Sequence, residues 1–149
     1  MIVFVEGRDG SGKTTLVKML QEKGYNILEP IPRGMSNDGK LWLSMLEDNK
    51  DKLYIMDRSF LSEIVYRTVD NRPLEMSVIS LFELLHNRNF AIIYCDSPTA
   101  YEDSLQRGED NILDKKVSIL IHNTYARLLN LLHCMILTYD WHNIYRYEY

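Results

Sequence analysis

Five short apolar runs recur along the chain, each rich in β-branched or aromatic residues and each bounded by polar or turn-forming residues. Short continuous apolar runs of this kind are typical of strands buried on both faces of a sheet. The pattern predicts five strands, at residues 2–6, 25–28, 53–57, 90–95 and 134–139.

The segments that separate these runs have apolar residues at helical spacing. They predict six helices, at Lys13–Lys23, Gly39–Glu47, Ser59–Val69, Leu74–His86, Pro98–Gln106 and Leu113–Leu132. Gly24 suits the left-handed turn that ends a helix, and Pro73 and Pro98 suit the first turns of the fourth and fifth helices. Strands that alternate with helices indicate an α/β fold, in which helices cover both faces of a mostly parallel sheet.

Length and composition indicate one domain over residues 1–149, with 46% hydrophobic and 26% charged residues and no internal repeat or linker. The net charge of −4 disfavours a stable nucleic-acid partner or an anionic membrane surface. Cys95 and Cys134 lie in apolar runs, so we expect buried thiols in a reducing compartment. The first apolar run is too short for a signal peptide, and we expect a soluble, cytoplasmic protein without a membrane partner.

A glycine-rich segment directly follows the first strand and directly precedes the first helix. Residues 7–14 match the pattern GxxxxGK(S/T), in which backbone N–H groups and the start of a helix hold phosphate groups. Lys13 would neutralise the β and γ oxygens of ATP, and the Thr14 hydroxyl would ligate Mg²⁺. The predicted ATP-binding residues are Gly7, Arg8, Asp9, Gly10, Ser11, Gly12, Lys13, Thr14 and Thr15.

The rest of the chain limits which class of nucleotide-dependent protein this can be. A GTPase would carry an NKxD base-recognition motif late in the chain, and the nearest string, at 49–52, has the wrong spacing and position. A small kinase fits the length. Asp57 ends the third strand and can hold Mg²⁺ together with Thr14, while Arg58 offers a fork to a second phosphate.

The strings FVEGRDGSGKTT and DRSFLSEIVY resemble the thymidylate kinase family, which carries an acid inside the phosphate loop and a DRxxxSxxxY segment after the third strand. The resemblance implies a nucleoside monophosphate kinase fold with a five-stranded parallel sheet in the order 2-3-1-4-5. It also implies transfer of the γ-phosphoryl group of ATP to a deoxynucleoside monophosphate such as dTMP.

The resemblance assigns roles to residues of the acceptor site. Asp9 would approach the 3′-hydroxyl of the acceptor sugar, and Arg33 and Arg58 would hold the acceptor phosphate. Ser62 and Tyr66 would face the acceptor base or sugar. Tyr125 lies on a helix similar to one that lines this pocket in the family, with a core or surface position as the equal alternative.

Phosphoryl transfer needs positive charge around the developing equatorial oxygens and exclusion of water, which a mobile lid with an arginine supplies. Arg107 follows the fifth predicted helix, where relatives carry such a lid, and Gly10 replaces the arginine that some relatives place in the phosphate loop. Lys13, Arg58 and Arg107 are therefore the predicted catalytic residues. A solvated cation at a helix end is the alternative for Arg107.

The sequence departs from the family pattern in several features, and two other functions remain as alternatives. The chain is shorter than usual members and has a reduced lid, a trimming that suits a compact phage or viral member. Arg67 stands where the family commonly has a glutamine after the tyrosine. The aromatic tail at 139–149 either completes the core or forms a homodimer patch. The alternatives to a monophosphate kinase are a deoxynucleoside kinase, whose ERS string compares with Asp57-Arg58-Ser59, and a degenerate non-catalytic nucleotide-binding protein.

Overall fold

Strands and helices alternate through the described part of this computed structural model, which comprises residues 1–32, 34–106 and 114–142. The elements, in chain order, are β1 (Ile2–Glu6), α1 (Lys13–Glu22), β2 (Asn26–Leu28), α2 (Gly39–Asp48), β3 (Tyr54–Asp57), α3 (Phe60–Val69), α4 (Val78–His86), β4 (Phe90–Cys95), α5 (Ala100–Gln106), α6 (Lys115–Leu129) and β5 (Met135–Tyr139).

The strands form one parallel sheet in the order β2-β3-β1-β4-β5. This confirms the predicted α/β architecture and strand order. In the sheet register Val5 of β1 lies opposite Asp57 of β3, and Glu6 lies opposite Tyr94 of β4. The carboxyl ends of the three central strands therefore meet at one edge, where ligands bind in open α/β sheets.

Side chains of β1 alternate between the two faces of the sheet, as the period of a strand requires. Ile2 and Phe4 enter the larger core, which is built with α2, α3, α4 and α6. Val5 enters a smaller core on the opposite face, where Leu16 of α1 packs. Glu6 follows Phe4 by two positions and shares its face, so this carboxylate enters the protein beneath α3 and α6.

Four aromatic side chains fill the centre of the larger core. Their rings meet edge to face with centroids 5.6 to 6.3 Å apart, an arrangement that aromatic quadrupoles favour. They are Phe4, Trp42, Phe60 and Phe90. Because they come from β1, α2, α3 and β4, they fix the start of α3 against the central strands.

The fourth and fifth helices begin later than predicted. The fourth helix begins at Val78 instead of Leu74, because the Ser77 hydroxyl accepts the Ser80 N–H at 3.2 Å and starts the helix there, leaving Pro73 in the preceding loop. The fifth begins at Ala100, and Pro98 lies in the turn before it.

The sixth helix is shorter than predicted, whereas the end of the first is confirmed. The sixth runs from Lys115, after the cap Asp114, to Leu129, while its predicted start at residue 113 lies outside the described residues. Gly24 does end the first helix: it has φ +97° and its N–H donates to the Gln21 carbonyl at 3.0 Å.

The cysteines are less alike than the sequence predicts. Cys95 is buried, as expected, whereas Cys134 is only half-buried because it lies just before the edge strand β5. Burial raises the pKa of Cys95 to about 12 and that of Cys134 to about 11. Within the described ranges, no helix combines the length and apolar character needed to cross a membrane.

Candidate functional site

The phosphate loop between β1 and α1 passes too close to its neighbours to carry side chains at its glycines. Gly10 and Gly12 have φ values of +82° and +86°, which L-residues rarely adopt. A Cβ on Gly10 would lie 1.9 Å from the Ala100 carbonyl oxygen, and one on Gly12 would lie 2.8 Å from the Trp141 ring. The glycines therefore allow the loop to pack under α5 and beside Trp141.

At the amino end of the loop, a Cβ on Gly7 would meet the Ser11 hydroxyl at 2.6 Å and the Cys95 carbonyl oxygen at 2.8 Å. The Ser11 hydroxyl is buried and has no hydrogen-bond partner among the described residues. Burying an unsatisfied hydroxyl costs about 1–3 kcal/mol. A polar atom of a ligand could fill the hydrogen-bonding capacity that Ser11 leaves open.

Lys13 begins α1 with a largely buried side chain that is 8% exposed. Its ammonium lies 3.3 Å from Asp57 Oδ1 at the end of β3. That oxygen is buried and accepts no well-formed hydrogen bond in the described part of the chain. The ion pair thus joins the phosphate loop to β3 across the carboxyl edge of the sheet.

Thr14 and Asp57 supply the kind of oxygen atoms that Mg²⁺ binds. Thr14 lies exposed at the start of α1, and Asp57 Oδ1, whose partner among the described residues is the Lys13 ammonium, lies at the same strand edge. Both residues fit the metal role that the sequence predicts for them.

Arg8 has a different place from its neighbours in the loop. Its side chain is buried, donating to the Ser97 carbonyl at 3.0 Å and to the Ser118 hydroxyl at 3.1 Å. These contacts tie the loop to the segment after β4 and to α6. The predicted ATP-binding role of Arg8 would therefore fall to its backbone.

Arg58 stands between β3 and α3 in an unusual backbone conformation. Its φ is +68°, and its N–H donates to the Val5 carbonyl at 2.9 Å. The guanidinium lies 3.4 Å from the carboxylate of the exposed Asp9 and packs over the Tyr66 ring at 5.6 Å. Arg58 Nη1 also lies 3.4 Å from the Ser62 hydroxyl. The structure thus brings together four of the five predicted acceptor residues, Asp9, Arg58, Ser62 and Tyr66.

The surroundings of Arg58 act on its pKa in opposite directions. Burial lowers the pKa, but the neighbouring Tyr125, Tyr66 and Glu6 outweigh burial and raise it above the ordinary value. The guanidinium therefore keeps its charge, as a phosphate ligand requires.

Beneath Arg58 lies a buried carboxylate that the sequence analysis missed. Glu6 is fully buried and accepts four hydrogen bonds, from the Ser59 N–H and hydroxyl at 2.5 and 2.7 Å, the Ser62 hydroxyl at 2.7 Å and the Tyr125 hydroxyl at 2.8 Å. Ser62, predicted to face the acceptor, is buried in this network, although it also lines the cavity described below.

The same network decides between the two positions considered for Tyr125. The ring is fully buried, and burial followed by the nearby Glu6 raises the pKa of Tyr125 well above its ordinary value. Tyr125 is therefore a core residue under the candidate site. Glu6 is the charged residue that ends the otherwise apolar strand 2–6, and this was the feature of the sequence that indicated its buried hydrogen-bond network.

A cavity of about 710 Å³ extends from the phosphate loop along α3. Its lining residues run from Asp9, Asp57 and Arg58 to Asp70 and Arg72. A cavity of this size lies within the range of small-molecule sites, about 300–1,000 Å³. Arg33 and Arg107, the other predicted phosphate ligands, lie outside the described residues.

Trp141 belongs to the aromatic tail, for which the sequence predicted core completion or a homodimer patch and no place in the site. It follows β5, is 40% exposed and lies against Gly12 of the phosphate loop. The next residue, His142, contacts Thr99 at 2.8 Å and Asp103 at 3.2 Å near the start of α5. The segment after β5 is thus held beside the phosphate loop. The remainder of the aromatic tail, 143–149, lies outside the described residues.

Comparisons with known proteins agree with this architecture. No protein-family model matches the chain. The YorR protein of Bacillus subtilis, solved in complex with phosphorylated GDP, superposes with a TM-score of 0.69 at 17% identity, covering 96% of this chain and 87% of that chain. The deoxyadenosine kinase of M. mycoides with bound dATP superposes with a TM-score of 0.60 at 18% identity, covering 94% and 91%. The chain has a nucleotide-kinase P-loop fold.

Curated relatives match over shorter stretches. A nucleotide-binding protein of Hahella chejuensis is 28% identical over 99 residues, which cover 66% of this chain and 32% of the relative. A probable thymidylate kinase of Sulfurisphaera tokodaii is 31% identical over 93 residues, covering 45% of this chain and 49% of the relative. The chain spans about a third to a half of the length of these relatives.

Proposed function

We propose that the protein transfers the γ-phosphoryl group of ATP to a deoxynucleoside monophosphate, with dTMP as the leading acceptor. The observation that carries the proposal is the meeting of Arg58 and Asp9, 3.4 Å apart, where the cavity along α3 joins the phosphate loop. The cavity offers an acceptor site directly beside a donor site. The similarity to a probable thymidylate kinase and to a deoxyadenosine kinase supports nucleotide chemistry at this position.

In the donor half, residues 7–15 hold the triphosphate of ATP. Backbone N–H groups of the loop bind phosphate oxygens, and Lys13 moves from its pairing with Asp57 to the β and γ oxygens. Thr14 and Asp57 would hold Mg²⁺. When bound, this ion neutralises charge that develops on the transferred group.

In the acceptor half, Arg58 holds the acceptor phosphate and aligns one of its oxygens with the γ-phosphorus. A bond forms between that oxygen and the γ-phosphorus, the bond from the γ-phosphorus to the bridging β–γ oxygen breaks, and ADP leaves. Asp9 would accept a hydrogen bond from the acceptor sugar, with Ser62 and Tyr66 in the adjoining wall. Arg33 and Arg107 are proposed as further cations for the acceptor phosphate and the transferred group.

A deoxynucleoside kinase is the second candidate, because deoxyadenosine kinase shares the fold over 94% of this chain. The two acceptors differ in charge. A monophosphate brings a dianion to Arg58 and an oxygen that needs no general base, whereas a nucleoside hydroxyl must lose a proton. The placement of Arg58 in the wall of the cavity, beside Asp9 of the phosphate loop, favours the monophosphate.

An acceptor panel tests the proposal. Purified protein with ATP and Mg²⁺ is offered dTMP, dCMP, dAMP, dGMP, thymidine and deoxyadenosine, and products are separated by ion-exchange chromatography. We expect a diphosphate from at least one monophosphate, with dTMP foremost, and none from Lys13→Ala protein prepared in parallel. Phosphorylation of nucleosides alone would establish the second candidate, and ATP binding without any transfer would identify a non-catalytic nucleotide-binding protein.

A further inference from the structure

The turn that carries Arg58 is anchored from below by one buried group. Arg58 itself contributes a left-handed backbone with φ +68°, which is unfavourable for a non-glycine residue and persists only when the surroundings enforce it. The next residue, Ser59, gives both its N–H and its hydroxyl to Glu6 Oε1. The carboxylate therefore fixes the chain directly after the strained residue.

The other carboxylate oxygen reaches the Arg58 side chain through a relay. Arg58 Nη1 lies 3.4 Å from the Ser62 hydroxyl, and that hydroxyl lies 2.7 Å from Glu6 Oε2. An ionised carboxylate only accepts hydrogen bonds, so the Ser62 hydroxyl donates to it and keeps the lone pairs of its oxygen for Arg58. The direction of the relay, from guanidinium to hydroxyl to carboxylate, depends on the carboxylate at position 6.

The Tyr125 hydroxyl connects α6 to the same carboxylate through a hydrogen bond. Its hydroxyl lies 2.8 Å from Glu6 Oε2 and 3.0 Å from the Ser62 hydroxyl. Burying a charge is costly unless its hydrogen-bonding capacity is filled, and here four donors fill it. A group so completely satisfied holds its partners in one arrangement.

We propose that Glu6 is a positioning residue for the acceptor phosphate, which holds Arg58 in place through Ser59 and Ser62. The inference rests on the proposed function, because it assigns Arg58 to that phosphate. Glu6 itself touches neither substrate. It acts on the acceptor half of the site alone, since its hydrogen bonds run to α3 and α6 and none reaches Lys13 or Thr14.

Glu6→Gln is the sharpest perturbation, because it keeps the size of the side chain and replaces one acceptor oxygen with a donating amide. The amide would donate to the Ser62 oxygen and compete there with Arg58. We expect KM for dTMP to rise about tenfold, the scale of one lost charge-assisted hydrogen bond, with KM for ATP unchanged within about twofold. Thr124→Ala, which removes a hydroxyl hydrogen bond to the Leu120 carbonyl within α6, is the control and should leave KM for dTMP unchanged.

A double-mutant cycle separates positioning from general damage to the fold. If Glu6 acts through Arg58, Glu6→Gln adds nothing to the rise in KM for dTMP already caused by Arg58→Lys. If the role of Glu6 were purely structural, Glu6→Gln would lower the melting temperature. It would then either raise the KM values for dTMP and ATP alike or change neither KM value. Either pattern, or additive effects of the two substitutions, would overturn the proposal.

One readout does not depend on activity. In NMR spectra of protein with isotope-labelled arginine, Glu6→Gln should shift and broaden the Arg58 side-chain signal and leave that of Arg127 unchanged. An unchanged Arg58 signal would overturn the role of Glu6 even in an active enzyme. A shifted Arg58 signal in a protein that phosphorylates no acceptor would sustain the positioning of Arg58 and refute the proposed function.

Discussion

Replacing Gly10 with alanine should destabilise the protein far more than the same change at Gly24. Both glycines have left-handed backbone, with φ values of +82° and +97°. Alanine in that conformation costs about 1–2 kcal/mol at either site. A Cβ at position 24 meets nothing within 4 Å, whereas at position 10 it lies 1.9 Å from the Ala100 carbonyl oxygen. Overpacking of this kind adds about 1–3 kcal/mol.

The expected loss in free energy of unfolding is therefore about 1–2 kcal/mol for Gly24→Ala and about 2–5 kcal/mol for Gly10→Ala. Urea unfolding followed by circular dichroism measures both. Because relief of the clash displaces the phosphate loop from α5, Gly10→Ala should also reduce the rise in melting temperature that ATP produces, and Gly24→Ala should not. Equal destabilisation by the two substitutions would refute the close packing of the loop against α5.

Two further predictions concern other parts of the site. ATP should change the fluorescence of Trp141, which lies against Gly12. Trp141→Phe should abolish this change, although the buried Trp42 still fluoresces in that variant. An equal change in Trp141→Phe protein would contradict the placement of Trp141 beside the loop. Burial raises the pKa of Glu63, but hydrogen bonds from Arg67 and Ser36 outweigh burial and leave it below its ordinary value. A carboxylate with a lowered pKa stabilises the fold at neutral pH and loses that contribution as pH falls through its folded pKa. Glu63→Gln should accordingly cost about 0.5 kcal/mol in urea unfolding at neutral pH, and this cost should shrink as the pH falls through the acidic range. A cost independent of pH would contradict the pairing.

Most of the fold was predictable because local signals and the global architecture agree. Each strand is a short apolar run, and the glycine pattern at residues 7–14 fixes the order of strand, loop and helix. The boundary at Val78 was harder, because the apolar pattern begins at Leu74 and only the cap at Ser77 places the start of the helix later.

The candidate site was predictable at its exposed positions and less so beneath them. The family resemblance implied that Asp9 and Arg58 serve one acceptor site, and their side chains lie 3.4 Å apart. The burial of Ser62 and Tyr125 on Glu6 depends on which face of β1 lies under α3 and α6. Sequence spacing carries no measure of such contacts between distant elements.

The central claim is that Lys13 and Arg58 serve one phosphoryl transfer, from ATP in the phosphate loop to a monophosphate in the cavity. ATP labelled with radioactive phosphorus in the γ position, incubated with dTMP and Mg²⁺, tests it most directly. The wild-type protein should place the label on the terminal phosphate of dTDP, and Lys13→Ala and Arg58→Ala should each abolish this product. Label transfer to dTMP that persists in Arg58→Ala protein would contradict the account.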